Sequence, residues 1–365
     1  MMESKNINYQ STTKAAAMFL IMAAIILLLQ YFRTFLQPFV VALILWFIIH
    51  EVRFLLGKIK IKGRTLPKPL LTIISTLVVF YLFNIITQLI IFNFQSLAAN
   101  AGKYNQVMLQ LASDIEQLLG VNNLDEAIGN NQQAIVSAAS LAAKGLATLI
   151  GNFFLVIIYV IFLLLEEGDL GHKLRKIYAR SSSRQKIRNS VNRIMKLFSD
   201  YLGIKIITSF LTGFFSFFIL LYLDIDLPML WAFLIFILNF IPSIGSIVAT
   251  SFPVLFALLQ YYGDWSKPVY VLVGILAIQV AIGNFLEPKL LGNKLNLSPL
   301  VVLLGLAFWG YVWGFVGMLL SVPIDAMLMI IFSQFESTRN AAILFSKDGN
   351  IEYLFEDTVE KKKEV

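Results

Sequence analysis

Apolar residues in this sequence come in long unbroken runs instead of amphipathic patterns, and that property alone removes most folds from consideration. Residues 15–32 carry no charge and are long enough to cross a hydrocarbon layer of roughly 30 Å at about 1.5 Å per residue. Further runs lie at about 35–49, 70–92, 145–165, 206–223 and 268–286. A soluble domain has roughly 25% charged residues to cover its surface, whereas here the figure is 14% against 58% hydrophobic. Lipid is therefore the solvent for most of the chain. The expected fold is an all-α polytopic membrane protein with about eight membrane segments. The first run is too long for a signal-peptide core, and no small-residue cleavage site follows it, so it reads as a retained span.

Several chemistries are excluded at once. With no cysteine there can be no disulfide, thiolate nucleophile or cysteine-based metal site. His50 and His172 are far apart, and neither belongs to a metal-ligand spacing or a catalytic triad. The expectation is a protein that is not an enzyme and has no catalytic residues, no metal site and no cofactor. The net charge of +7 does not point to nucleic acid, because the basic residues flank the spans.

Those basic residues set an orientation. Loop 51–69 carries Arg53, Lys58, Lys60, Lys62, Arg64 and Lys68, and segment 166–200 carries nine lysines and arginines, so both are expected in the cytoplasm together with the N terminus. Segment 93–144 has only Lys103 and Lys144, which places it outside. There Leu111, Ile115, Leu118 and Leu119 form a helical stripe suited to packing. Ile187, Val191, Ile194, Met195 and Phe198 form a second stripe, expected as a cytoplasmic amphipathic helix on the membrane face. The chain thus divides into N-terminal spans (1–92), an extracytoplasmic helical insertion (93–144), a fourth span with the amphipathic helix (145–200), a transport core (201–335) and a cytoplasmic tail (336–365), loosely ordered from about residue 347.

Two stretches in the core are too long for single spans. Residues 228–262 are uncharged across 35 positions, about 52 Å as one helix, and 299–335 carries Asp325 alone. Helix breakers interrupt both: Pro242 to Gly245 in the first, and Gly310, Gly314 and Gly317 in the second. Each opens on a proline, Pro228 or Pro299, and later shows Ser-x-Pro at Pro253 or Pro323, with proline-to-proline distances of 25 and 24 residues. The pattern reads as an internal repeat, each unit being one span plus one re-entrant hairpin. If span 268–286 runs inward, Lys289 and Lys294 are cytoplasmic and the two hairpins enter from opposite faces. Two full crossings are the alternative.

Candidate substrate- or ion-binding residues follow from polar groups in this apolar setting. Asp325 could bind a cation or proton, accept a hydrogen bond from a substrate, or simply reach interfacial water. Asn239, Pro242, Ser243 and Gly245 surround the first break, where unwound carbonyls coordinate ligands or side chains cap half-helices. Asn284 and Glu287 end a span beside Pro288, Lys289 and Gly292, as a gate or as a Glu287–Lys289 interfacial anchor. Pro253, Pro299, Gly310, Gly314, Gly317 and Pro323 are read as gating or hairpin positions, with Gly310-x-x-x-Gly314 also suited to close helix packing.

Three stretches, Asn239-Phe240-Ile241-Pro242-Ser243-Ile244-Gly245, Glu287-Pro288-Lys289-Leu290-Leu291-Gly292 and Leu297-Ser298-Pro299-Leu300-Val301-Val302, resemble signatures of the autoinducer-2 exporter family of bacterial permeases. The Gly314-x-x-Gly317 and Val322-Pro323 positions and the Leu164-Leu165-Glu166-Glu167-Gly168 exit are similar too. The resemblance implies a transporter of the bacterial inner membrane, in contact with lipid, homo-oligomeric and described in the family as pentameric, with elevator-like movement. It implies a small-molecule or ion substrate: export of a furanosyl quorum-sensing signal, or sodium or lithium export against protons. Asp325 stands where the signal exporters are expected to carry a small apolar residue, which favours the ion-coupled alternative. The leading expectation is a secondary transporter exporting a small polar solute. The others are a Na+(Li+)/H+ antiporter using Asp325, and a membrane scaffold or assembly protein acting through the insertion.

Overall fold

A computed structural model describes residues 3–59, 66–99, 101–119, 153–179, 184–292 and 295–354. Lys60, Lys62, Arg64, Lys144, Lys294, residues 120–144 of the insertion and the tail beyond 354 lie outside the described residues. The described chain is helical, with one isolated antiparallel bridge between Leu297 and Ser346. In order the helices are α1 (Glu3–Tyr31), α2 (Arg33–Gly57), α3 (Lys68–Ala99), α4 (Ala101–Leu119), α5 (Phe153–Ala179), α6 (Arg184–Tyr222), α7 (Pro228–Leu238), α8 (Ile244–Gln260), α9 (Ser266–Leu291), α10 (Pro299–Ser333) and α11 (Arg339–Phe345). Among the described residues α2, α3, α6, α9 and α10 contain stretches long and apolar enough to cross a membrane.

Helices α2, α3 and α5 form one bundle, closed by Ala42, Leu45 and Ile49 against Val79, Val156 and Val160. Arg53 of α2 pairs with Glu167 of α5 at one end, and the Trp46 indole donates to the same carboxylate at 3.4 Å. Helix α6 packs on α7, α9 and α10.

Helix α6 departs from expectation. It runs unbroken for 39 residues, where the sequence suggests an amphipathic helix followed by a separate span. Leu197, with Ile194 and Phe198 around it, packs on Met329, Ile330 and Ala342 of α10 and α11. Of the stripe read as membrane-facing, Ile194 and Phe198 are thus covered by protein, while Met195 stays exposed.

Both long apolar stretches fold back on themselves. Pro228 opens α7 at a first-turn position where its missing N–H costs nothing. After Asn239 the chain turns sharply: Ser243 takes φ 58° and ψ −58°, and the Ile244 N–H donates to the Pro242 carbonyl at 2.6 Å, a strained γ-turn. Helix α8 then returns along α7, bringing Phe256 to 4.9 Å from Trp231, ring centre to ring centre. One straight helix would hold those residues about 37 Å apart. In α10 the bend is at Gly314 (φ 59°, ψ −138°), a conformation open to glycine. The Trp309 indole donates to Asp325 Oδ1 at 2.9 Å across the two arms. Both bends close through glycine: a Cβ on Gly245 would stand 1.9 Å from the Leu238 carbonyl oxygen, and one on Gly317 would stand 1.9 Å from that of Trp309.

The N-terminal helices hold the second bend. Gln37 Nε2 donates to the Trp313 carbonyl at 2.6 Å, and the Trp313 indole donates to the Leu29 carbonyl at 3.2 Å. At the far end, α11 and the residues after it fasten the loop before α10. Ser298 N–H donates to the Phe345 carbonyl at 2.8 Å, and Lys347 N–H donates to that of Asn296 at 3.0 Å. Ile351 and Leu354 are buried, so the tail is packed through residue 354, where its polar composition suggests loose order.

Candidate functional site

A cavity of about 900 Å³ opens between α6, the first bend, α8 and α9. Val302 and Val322 of α10 close one side, and Leu291, Gly292, Leu295, Asn296 and Leu297 with Lys347 line another. The walls are mixed, with aliphatic side chains interleaved with amides, hydroxyls and three charged groups.

Each polar side chain is placed by a local feature of its helix. Asn239 caps the C-terminal end of α7, and its Nδ2 donates to Ser209 Oγ on α6 at 3.0 Å, fixing the bend against α6. In α9 the helix widens into π-helical turns over Val280–Leu286. Such turns are frequent at functional sites, and these put Gly283, Asn284 and Glu287 on the cavity wall. Just before the widening, Gln279 Nε2 donates to the Ser246 carbonyl at 3.1 Å.

Glu287 meets Lys205 of α6, Nζ to Oε1 2.7 Å, with 8% of the lysine side chain and 16% of the glutamate side chain exposed. The Thr208 hydroxyl donates to the second oxygen at 3.3 Å. The partner of Glu287 is thus Lys205, not its near neighbour Lys289, whose side chain is exposed.

Of the residues singled out in the sequence, Asn239, Pro242, Ser243, Asn284, Glu287 and Gly292 come together on this cavity. Gly245 sits behind the wall, at the closure of the first bend. Pro253, Pro288, Lys289, Pro299, Gly310, Gly314, Gly317 and Pro323 do not line it. Asp325 stands apart as well. It is 3% exposed and lies between the two arms of α10, where a Cβ on Gly305 would come within 1.7 Å of Oδ2. That oxygen has no hydrogen-bond partner among the described residues, and no acidic or histidine cluster suited to a metal ion occurs among them either.

Sequence reasoning missed Tyr201, Lys205, Ser209 and Gln279, because a lysine at the start of a span reads as an interfacial flank. The signal that could have found it is a polar stripe at helical spacing in an apolar helix. Lys205, Thr208, Ser209, Thr212 and Ser216 share one face of α6, and all are buried.

A sequence profile of the AI-2E family transporters matches residues 17–337. This chain is an AI-2E family transporter. The transporter is 34% identical over 291 residues to a Haemophilus influenzae protein named "Putative transport protein", covering 78% of this chain and 81% of the relative. It is 34% identical over 247 residues to the AI-2 transport protein TqsA of Escherichia coli (strain K12), covering 66% and 70%. With the YhhT transport protein of the same strain, also named as putative, it shares 26% over 326 residues, covering 87% and 86%. The family consists of transporters, not enzymes, and the AI-2E match together with several long apolar helices makes this chain a multi-pass membrane protein.

Proposed function

We propose that this transporter is a secondary carrier that exports a small polar organic solute through the cavity bounded by α6, the first bend and α9. The observation that carries this reading is the convergence of Asn239, Ser243, Asn284 and the Lys205–Glu287 pair on one space of about 900 Å³. It is large enough for a small metabolite and polar at a few points only, as solute sites are. The folded-back segments 228–260 and 299–333 act as re-entrant hairpins entering from opposite faces. The break of the first hairpin meets the solute near the membrane midplane, as in other carriers with inverted repeats, and the second hairpin contributes Val302 and Val322 to the wall. Both termini face the cytoplasm of a bacterial inner-membrane protein, and the carrier works as a homo-oligomer. The name of the relative TqsA makes AI-2 the first solute to test.

Two other readings fit less well. An antiporter built on Asp325 needs that carboxylate in contact with the permeating ion, and Asp325 is enclosed between its own helix arms, away from the cavity. A scaffold role would use the insertion, whose described part packs on the carrier itself: Tyr104 of α4 is buried with its ring against Phe256 and its hydroxyl donating to Asp226 Oδ2 at 3.0 Å.

The test is flux from proteoliposomes holding the full chain. Loaded AI-2 should leave faster than from empty liposomes, and Asn239→Leu should slow it at least tenfold. Sodium- and lithium-driven proton movement without solute flux would replace this reading with the antiporter.

A further inference from the structure

One polar group on the cavity wall has nothing to bind within the protein. Tyr201 of α6 is 3% exposed, and its ring belongs to the apolar cluster that contains Leu197, Leu297 and Val322. Its hydroxyl makes no hydrogen bond among the described residues, yet the oxygen is not sealed into apolar packing. Tyr201 lines the cavity, so the space left to that oxygen is the cavity itself. A buried phenol ordinarily finds a partner, because desolvating an unmatched hydroxyl is costly. Packing alone does not account for it, since phenylalanine would fill the same cluster with no polar atom to satisfy. Tyr201, Lys205 and Thr208 follow i, i+4, i+7 and share one face of α6. Lys205 and Thr208 are both committed to Glu287, at 2.7 Å and 3.3 Å. The Glu287 carboxylate lies close enough to act on the phenol but accepts no hydrogen bond from it. Tyr201 is thus the donor that this face leaves unused.

We infer that Tyr201 determines which solutes this carrier accepts: its phenol hydroxyl donates to an oxygen atom of the solute, beside the Lys205–Glu287 pair. The inference rests on this cavity being the solute site. A solute with a hydroxyl or carbonyl oxygen at that point replaces the bond that water would otherwise make to the phenol. A solute without one leaves the phenol unmatched and binds less well. The ring is gripped by its cluster, so the position of the oxygen is fixed before the solute arrives and little freedom is lost on binding.

Tyr201→Phe removes one oxygen and keeps the ring in its cluster. In proteoliposomes holding the full chain and loaded with AI-2, it should raise the concentration giving half-maximal efflux about three- to tenfold, as loss of one neutral hydrogen bond requires. The maximal rate should change by less than about twofold. Unfolding in sodium dodecyl sulfate should match that of the parent, because the hydroxyl holds nothing within the described protein. An unchanged half-maximal concentration overturns the assignment and leaves the carrier reading in place. A variant that unfolds more readily gives the hydroxyl a structural role and overturns the assignment too. The absence of cysteine allows a second measurement that needs no solute. Tyr201→Cys should react with the small uncharged reagent methyl methanethiosulfonate at a rate close to that of Ser246→Cys, another wall position. Leu202→Cys, at a fully buried neighbour, should stay unreacted. A thiol at 201 as inert as the one at 202, with 246 reactive, overturns the role of Tyr201 alone. Inert thiols at both 201 and 246, or AI-2 efflux no faster than from empty liposomes, overturn the carrier reading on which it rests.

Discussion

Replace Gly317 by alanine and the new Cβ would stand 1.9 Å from the Trp309 carbonyl oxygen. Ordinary contact begins at 3.4 Å, so the two arms of α10 must part by about 1.5 Å. Backbone faces backbone here, and no flexible side chain can absorb the shift. Parting the arms also stretches the bond from the Trp309 indole to Asp325 Oδ1, now 2.9 Å, beyond useful length. Overpacking costs about 1–3 kcal/mol and a lost hydrogen bond to a charged group about 1.5–3 kcal/mol, so the total should fall near 3–5 kcal/mol. A straight α10 predicts the opposite sign, because alanine in a helix interior is better than glycine by about 1 kcal/mol. Gly203→Ala supplies the comparison, since nothing lies within 4 Å of its Cβ on α6, and it should be neutral or stabilising. Unfolding of the detergent-solubilised chain by sodium dodecyl sulfate, followed by tryptophan fluorescence, reads both variants. If Gly317→Ala matches Gly203→Ala, the arms do not close on each other and the hairpin reasoning is wrong. Gly245→Ala, against the Leu238 carbonyl, should repeat the Gly317 result.

Other consequences can be checked in the same preparations. Lys205→Met strands a mostly buried Glu287 and should cost about 3 kcal/mol. Adding Glu287→Leu should recover much of that, and an additive double mutant would show that the pair is not coupled. Asp325→Asn keeps an acceptor for Trp309 and should leave folding, solute flux and sodium or lithium tolerance unchanged; lost tolerance would restore the antiporter. Burial, and then the Asp226 carboxylate, push the Tyr104 phenol above the usual tyrosine range. The folded state therefore holds that proton more tightly, so the stabilisation is complete below about pH 10 and is lost as pH rises further. Thermal melts between pH 8 and 11 should fall less steeply for Tyr104→Phe than for the parent protein.

How much of this is legible in the sequence depends on whether the signal is local. The bends are legible, since length without charge forbids a single span and the breakers Pro242 and Gly314 mark the places. Asn239, Asn284 and Glu287 stand out because an isolated polar residue in an apolar run needs a reason. What does not show is which polar groups meet. Lys205 and Glu287 are 82 positions apart, and only the packing of α6 on α9 makes them a pair. Asp325 looks the same in sequence whether it faces a cavity or its own helix. Val322, three positions earlier, reaches the cavity, while Asp325 turns towards Gly305, and that choice follows from the rotation of α10 after the bend. The unbroken α6 is hidden for a similar reason, since the stretch around Ile194, Leu197 and Phe198 has the composition of a surface helix until α10 and α11 pack on those three.

The bridge between Leu297 and Ser346 also has a consequence for biosynthesis. The loop around Leu297 leaves the ribosome before the second hairpin, and its pairing partner follows 49 residues later. At roughly 5–20 residues per second that is a delay of about 2–10 s. During that interval one wall of the cavity has no Lys347, and Leu320 and Met329 lack the cover of Ala342 and Ile351. The last part of the cavity wall to be made is therefore the segment around Lys347. A ribosome stalled in this stretch would hold a carrier already inserted in the membrane but open along one side.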